Sequence, residues 1–171
     1  AKMSQSYNRA PPSRPATKPL QRLHYDFVPV PCVSTIGDFI GFVTVVDEWS
    51  DMCWAIPVKT KSSVSQVLID FVTKAERQFA TKAGGMACAH EMSSLRSDGG
   101  GENTSGTFAS WCRARGVVHE FSAPYCQWQN GIAERFVRTI WSGAEAMRKH
   151  AGMPARYWPY CVQAFTYTFN R

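Results

Sequence analysis

From Leu23 onward the chain alternates apolar and polar residues in a strand-like pattern and then changes to helical spacing. Three apolar runs, bounded by prolines and polar turns, predict strands at Leu23–Val30, Phe39–Val46 and Cys53–Val58. An amphipathic helix is predicted next, because apolar residues recur three and four positions apart after hydroxyl side chains suited to an N-cap. The capping segment is Thr60–Ser63, and the recurring residues are Val64, Val67, Leu68, Phe71, Val72, Ala75 and Phe79.

The second half predicts shorter elements followed by two closing helices. In order, the pattern predicts a strand at Ser94–Ser97, a glycine-rich turn at Asp98–Gly101, a helix at Phe108–Arg115 stopped at Gly116, a strand at Val117–Phe121, a polar loop at Ser122–Gln129, a long helix from about Asn130 to His150 ended by Gly152 and Pro154, and a final helix towards Arg171. This order predicts an α/β fold in which a mixed sheet packs against helices.

The long helix has two predicted faces, which decide where its acidic residue points. At 100° per residue the core face holds Ile132, Ala133, Phe136, Val137, Ile140, Ala144 and Met147. The opposite face holds Glu134, Arg138, Trp141, Glu145 and Arg148. Glu134 is therefore expected to point away from the core, with Arg138 near enough to pair with it or with a phosphate beside it.

Length and composition indicate one globular domain and a preceding arm. The chain has 171 residues, of which 44% are hydrophobic, enough to bury a core. Residues 1–20 are rich in proline and basic side chains and are predicted to be a linker-like arm, with the folded domain at 21–171. No apolar run approaches the roughly 18 residues of a membrane helix, so no membrane partner is expected. The start at Ala1 without a leader predicts a piece of a longer protein.

The net charge of +6 is unevenly distributed. Residues 1–22 contain basic but no acidic side chains, and basic residues again predominate after Glu134. Such clusters bind nucleic acid backbones by releasing counterions, although a solvated surface explains the same charges equally well.

The six cysteines form no C-x-x-C pair. Several lie in apolar runs, where a free cysteine behaves as a small hydrophobic residue. A structural zinc site is therefore not expected, and a reducing compartment is the default.

Three acidic residues stand in contexts that suggest chemistry. Asp26 lies inside an apolar strand, where its charge needs compensation, and a hard divalent cation is a natural partner for a carboxylate. Asp98 ends a strand before three glycines, which also suits a simple turn. Glu134 lies in the first turns of the long helix, where it could merely complement the helix N-terminus.

The surrounding motifs decide between these readings. In chain order they are His24-x-Asp26, Phe42-Val43-x-Val45-x-Asp47, Arg96-Ser97-Asp98 with Gly100 and Glu102, Gly116-Val117-x-His119, Ala123-Pro124-Tyr125, Gln129-Asn130-Gly131-Ile132-Ala133-Glu134-Arg135 with Arg138-Thr139, and Gly152-x-Pro154 with Trp158. From about residue 20 to its end, the chain closely resembles the integrase cores of copia-type retrotransposons, within the retroviral integrase and ribonuclease H-like superfamily. The 35 residues between Asp98 and Glu134 match the interval of that family.

The resemblance implies a ribonuclease H-like fold with a mixed five-stranded sheet. It further implies that Asp26, Asp98 and Glu134 bind two Mg²⁺ or Mn²⁺ ions and join the 3′ ends of element cDNA to target DNA by transesterification. Double-stranded DNA, a homo-oligomer and a nuclear site of action, after assembly in a cytoplasmic particle, are the implied partners and location. A cut-and-paste transposase and a domesticated, non-catalytic DNA-binding protein are the rival functions.

Some positions depart from the family pattern without touching the three acids. These are Asp51, Gly99, Gln127, Trp128 and Val137. They bring into question the stiffness of the loop before the long helix and its DNA contacts, rather than the chemistry.

The candidate DNA contacts each have a structural alternative. They are Trp128, Gln129, Asn130, Arg135, Arg138 and Lys149. Trp128 could stack on a distorted base or fill a hydrophobic gap, and Asn130 could cap the long helix instead of contacting DNA. His24 is interpreted as a structural strand residue rather than a metal ligand.

Overall fold

The computed structural model describes residues 15–32, 34, 37–82, 92–97, 106–121 and 131–171, with the backbone alone for 79–82. The strands are β1 (Arg22–Pro29), β2 (Gly41–Asp47), β3 (Cys53–Val58), β4 (Ser94–Ser97) and β5 (Val118–Phe121). The α-helices are α1 (Val64–Lys82), α2 (Gly106–Ala114), α3 (Gly131–His150) and α4 (Trp158–Phe169), and short 3-10 turns at Lys61–Ser63 and Ala155–Tyr157 lead into α1 and α4.

Within these ranges the five strands form one mixed sheet in the order β3-β2-β1-β4-β5. The first three strands pair antiparallel, whereas β4 pairs parallel with both β1 and β5. The prediction of a mixed five-stranded sheet flanked by helices is therefore confirmed. β1 lies in the middle: it pairs with β2 from Leu23 to Pro29 and with β4 from Arg22 to His24.

Alternating side chains divide the core into two layers. Leu23, Tyr25 and Val45 face the layer that contains α1 and α2, whereas Phe42 and Val46 face the layer that contains α3 and α4. Successive residues of a strand point to opposite faces, which explains the division. β2 is buried at every position, as expected for a strand covered on both faces.

Two residues of α3 differ from the predicted faces. Trp141, predicted on the outer face, packs against the second core layer and stacks on Phe42, with ring centroids 6.1 Å apart and an interplanar angle of 11°. Its long side chain reaches the core from the edge of the helix face. Met147, predicted in the core, is 40% exposed. It lies beyond Ala144, the last buried residue of the helix.

Local signals set most element ends. Gly116 and Gly152 adopt φ of +65° and +63°, the left-handed conformation that ends α2 and α3 as predicted. The Thr60 hydroxyl accepts a hydrogen bond from the backbone N–H of Ser63 before α1. At the other end of the chain, the Asn170 side chain binds the backbone N–H and C=O of Cys53 and joins α4 to β3.

We expect Gly41→Ala to destabilise the fold by roughly 1–3 kcal/mol. A Cβ at Gly41 would lie 2.4 Å from the backbone oxygen of Val28, so β1 and β2 would have to separate at the end of β1. The control is Gly106→Ala at the start of α2, where an added Cβ meets no atom of the described residues within 4 Å. Urea unfolding of both variants measures the difference, and equal stabilities would contradict the tight approach of the two strands.

Candidate active site

Asp26 lies half-buried in the middle of β1, on the sheet face covered by α3 and α4. Its neighbours Tyr25 and Phe27 pack into the opposite layer, and Val28 packs into the same one. Its cross-strand partner is Thr44 of β2. Thr44 is fully buried, and its hydroxyl has no hydrogen-bond partner within the described part of the chain. A buried hydroxyl without a partner lowers the stability of the fold by about 1–3 kcal/mol. A polar ligand or ion bound next to Asp26 could recover this free energy by contacting the Thr44 hydroxyl.

Glu134 lies half-buried in the first turn of α3. The adjacent Ala133 and, two turns later, Ile140 are completely buried, which anchors the helix on β1 and β2. The helix that carries Glu134 therefore covers the sheet face towards which Asp26 points. Partial exposure of Glu134 agrees with the predicted orientation away from the buried stripe.

Asp98 lies outside the described residues, as do Gly99, Gln127, Trp128, Gln129 and Asn130. The residue before Asp98, Ser97, is the last residue of β4 and is completely buried. β4 runs parallel beside β1, with Arg96 in register with His24. The described part of β4 thus ends at Ser97, directly before Asp98 in the sequence. It lies beside β1, the strand that carries Asp26.

A row of charged side chains crosses the sheet beside Asp26. It consists of Glu48, His24, Arg22, Arg96 and Glu120. His24 Nε2 lies 2.8 Å from Glu48 Oε2, and Arg22 Nη1 lies 3.2 Å from Glu48 Oε1. On the other side of the row, Arg96 Nε donates to Glu120 Oε2 over 2.9 Å. Arg22 Nε, 3.7 Å from Glu120 Oε1, connects the two sides of the row. The row therefore links β1, β4, β5 and the turn after β2, and it holds the half of β1 that precedes Asp26.

Burial and pairing set the charge of this row. Burial lowers the pKa of His24, although its hydrogen bond to Glu48 opposes that change. Burial alone would raise the pKa of Glu48, but hydrogen bonds from His24 and the Ala16 backbone, together with Arg22, lower it overall. A neutral His24 bound to an ionised Glu48 follows, which fits the structural interpretation of His24. Local sequence pattern missed Glu48, because the contact depends on how the turn after β2 folds back.

A second histidine lies on the reverse face of the sheet. His119 Nε2 of β5 is 3.0 Å from Ser97 Oγ and 3.2 Å from the Tyr25 hydroxyl. Its ring packs edge-on against Phe108 at 5.3 Å between centroids. Burial lowers the pKa of His119 to about 4. The imidazole is therefore neutral near pH 7, and one ring nitrogen can accept a hydrogen bond.

The basic residues of α3 fall into two groups, of which the first holds the predicted DNA contacts. Arg135 and Arg138 are exposed on α3, and the Lys149 side chain is 72% exposed with its Nζ 4.0 Å from Glu145. Arg148, by contrast, is held by Glu145 at 2.7 Å and by the Met153 carbonyl at 2.6 Å. The first three can therefore reach a phosphate, whereas Arg148 has its donors engaged within the fold.

A mainly apolar cavity of about 270 Å³ opens between the end of β1 and α3. Its lining residues are Val28, Pro29, Val30, Pro31, Val137, Arg138, Trp141 and Ser142. It lies one helical turn beyond Glu134, with Arg138 as its charged member. The cavity thus adjoins the sheet face that carries Asp26.

The described residues contain no group of three histidine, cysteine, aspartate or glutamate side chains that could hold a metal ion. Asp26 and Glu134 belong to this part of the chain, whereas Asp98 does not. Cys53, Cys112 and Cys161 are buried free thiols, and burial raises the pKa of Cys53 to about 11. They behave as hydrophobic residues, as predicted. None of the described helices combines the length and the apolar character needed to cross a membrane.

The chain matches the integrase core domain family over residues 16–126. This match covers more than half of the chain, which therefore belongs to that family. The resemblance drawn from the acidic motifs is confirmed at this level.

Similar proteins include polyproteins of plant retrotransposons. The chain is 35% identical over 139 residues to the retrovirus-related Pol polyprotein from transposon TNT 1-94 of Nicotiana tabacum, covering 81% of this chain and 10% of the relative. It is 31% identical over 156 residues to the corresponding polyprotein from transposon RE2 of Arabidopsis thaliana, covering 91% of this chain and 10% of the relative. The copia-type resemblance is confirmed, and the chain spans about a tenth of the length of these relatives.

A solved structure supports the fold. The simian T-cell lymphotropic virus intasome in complex with PP2A regulatory subunit B56 gamma aligns with a TM-score of 0.62 and 16% identity, over 88% of this chain and 49% of that chain. At this identity the likeness concerns the fold alone, which is ribonuclease H-like as predicted.

His119 predicts a specific loss of stability in mild acid. Because its folded pKa is about 4 and its ordinary value is 6.5, the unfolded chain takes up a proton in this window and the folded chain does not. The contribution of the neutral His119 ring to the free energy of unfolding is therefore complete above pH 6.5 and decreases as the pH falls towards about 4. The stability advantage of the parent over His119→Phe should shrink by roughly 1–2 kcal/mol between pH 7 and pH 5.

Urea unfolding at both pH values measures this difference. Val72→Ala, which empties part of the same core layer without removing a titratable group, is the control and should show a pH-independent deficit. An advantage over His119→Phe that is equally large at pH 7 and pH 5 would contradict a neutral, half-buried imidazole.

Proposed function

We propose that this chain is the catalytic core that joins the 3′ ends of retrotransposon cDNA to target DNA by metal-dependent transesterification. Membership of the integrase core domain family supports polynucleotidyl transfer in DNA integration as the general activity. One observation carries the proposal for this chain: β1 presents Asp26 on the sheet face that α3, the helix of Glu134, covers. β4, which ends one residue before Asp98, lies parallel beside β1.

The donor set fits a hard divalent cation. Asp26, Asp98 and Glu134 offer carboxylate oxygens, which Mg²⁺ and Mn²⁺ prefer. The buried Thr44 hydroxyl, which has no partner in the described part of the chain, adds a polar group opposite Asp26. When bound, two ions supply activation of the attacking 3′-hydroxyl and stabilisation of the leaving oxygen. Asp26 and Asp98 would share the ions, with Glu134 completing the second site.

The chain's own residues would orient the reacting groups. β1 holds Asp26 by pairing with β2 at Thr44 and with β4 just before it, and the buried face of α3 fixes the helix that carries Glu134 on the same side of the sheet. Such preorganisation matters because in-line displacement at phosphorus tolerates little misplacement of the reacting atoms. No covalent enzyme intermediate is required, so the proposal needs no serine, cysteine or tyrosine nucleophile.

DNA would approach along the exposed basic residues of α3. Arg135, Arg138 and Lys149 are exposed there and would contact phosphates, which position DNA without reading its sequence. The basic arm at 1–20 would add contacts, as would Trp128, Gln129 and Asn130. Within that arm, Leu20 is buried and its N–H donates to Asp47 Oδ1 over 3.0 Å, so its last residues are attached to the folded domain at 21–171. A homo-oligomer acting in the nucleus completes the proposal.

We expect Asp26→Asn, Asp98→Asn and Glu134→Gln each to lower strand transfer by roughly a hundredfold or more, the scale on which charge-stabilising groups act. Without metal, the variants should be as stable as the parent or slightly more stable, because carboxylate repulsion is relieved. Strand-transfer rates with Mn²⁺ and urea unfolding without metal measure the two effects.

The matched control is Asp70→Asn, an exposed acid on α1 across the sheet, which should keep the parental rate. A triad variant that also keeps the parental rate would remove that residue from the proposed site.

DNA affinity should be strongly salt-dependent and nearly independent of end sequence, because the candidate contacts are with backbone phosphates. Replacing Lys2, Arg9 and Arg14 by Gln keeps the length of the arm and removes three of its charges. The slope of log affinity against log salt should become shallower by up to about 0.9 for each phosphate that the arm no longer neutralises.

Salt titrations with element-end and scrambled duplexes measure this change, and metal binding should remain parental. A preference for one end sequence that persists at high salt would show base-specific recognition and contradict a purely electrostatic interface.

A further inference from the structure

We infer that His119 is a positioning residue that sets the spacing of β1 and β4, by binding Tyr25 and Ser97 at the same ring nitrogen. The inference rests on the proposed function, since these residues directly precede Asp26 and Asp98 in the sequence. We call the three side chains His119, Tyr25 and Ser97 the reverse-face clamp.

The clamp continues the strand pairing where the backbone register ends. β1 and β4 pair from Arg22 with Ser94 to His24 with Arg96. The next residues on the two strands, Tyr25 and Ser97, are joined instead through His119 Nε2, at 3.2 and 3.0 Å. The two strands are thus held together by side chains immediately before the positions of the two acids.

The geometry separates the clamp from the metal side of the sheet. Tyr25 packs into the layer of α1 and α2, whereas Asp26 points to the layer of α3 and α4. His119 therefore lies on the opposite face from the Asp26 carboxylate and does not act as a ligand. Its effect on the site would pass through the backbones of β1 and β4.

The clamp is closely packed. Tyr25 is 1% exposed and Ser97 is completely buried. The His119 ring contacts Phe108 edge-on at 5.3 Å and Phe121 at 4.1 Å between centroids, and β5 carries it in parallel register with β4. A packed ring that holds two buried hydroxyls resists separation of the strands. Metal sites need such support, since ligands must stay within about 0.5 Å of productive geometry.

Two substitutions of His119 separate hydrogen bonding from packing. His119→Phe keeps an aromatic ring against Phe108 and Phe121 but removes the nitrogen. His119→Gln places an amide near the position of Nε2 and can restore a hydrogen bond. Binding of Mn²⁺ without DNA, followed by the electron paramagnetic resonance signal of the free ion, reports on the site independently of catalysis.

We expect His119→Phe to raise the Mn²⁺ concentration for half-saturation about tenfold, the lower end of the effect of residues that orient metal ligands. The same shift should appear in the metal dependence of strand transfer, whereas the KM for DNA should stay within about twofold of the parent, because the phosphate-binding residues on α3 are unchanged. His119→Gln should bind Mn²⁺ within about threefold of the parent.

A control distinguishes positioning from general destabilisation. Val72→Ala lowers stability within the same core layer but lies on α1, so it should leave Mn²⁺ affinity unchanged. If His119→Phe does not fold, Ser97→Ala and Tyr25→Phe each remove one hydroxyl of the clamp and should each weaken Mn²⁺ binding severalfold.

The outcomes separate the two proposals. A parent that binds Mn²⁺ and joins DNA ends, with all clamp variants binding Mn²⁺ equally well, overturns the clamp alone. A parent that neither binds Mn²⁺ nor joins DNA ends overturns the proposed function and the clamp with it. Weakened Mn²⁺ binding in His119→Phe, rescued in His119→Gln and absent in Val72→Ala, supports both.

Discussion

The pairing of β1 with β2 on one side and β4 on the other is the constraint on which the rest of the structure depends. It places Asp26 in the centre of the sheet and aligns the end of β4 beside it. It also sends alternate β1 side chains into two separate core layers, so that α3 can cover one face while α1 and α2 cover the other. A shift of β1 by one residue would exchange the two faces and turn Asp26 towards α1 and α2.

The two faces of the sheet at β1 carry different sets of polar contacts. On the α3 side, Glu48, His24, Arg22, Arg96 and Glu120 form a row of compensated charges. On the reverse side, His119 joins Tyr25 to Ser97. Groups buried in this way are costly unless they are paired. The strand that carries the first predicted acid is therefore held by specific polar contacts as well as by the hydrophobic core.

Sequence pattern predicted the elements well where the signal is local. Period-two alternation and helical spacing identified β3 and the start of α1, and Gly116 and Gly152 marked the helix ends. Asp26 is noticeable because an acid interrupts an apolar strand there, whereas Glu134 is noticeable only through the motif around it. By contrast, a helical wheel gives the direction of Trp141 but not the reach of its side chain, so its packing on Phe42 was missed. Contacts such as His24 with Glu48 and His119 with Tyr25 join distant segments, and they follow only from register and turn geometry.

The most direct test of the central claim is to locate manganese in crystals of the protein soaked with Mn²⁺, by its anomalous scattering. We predict anomalous peaks between the carboxylates of Asp26, Asp98 and Glu134, on the α3 side of the sheet, and their loss in Asp26→Asn crystals. Manganese bound elsewhere, or peaks at these carboxylates that persist in Asp26→Asn, would contradict the proposed metal site.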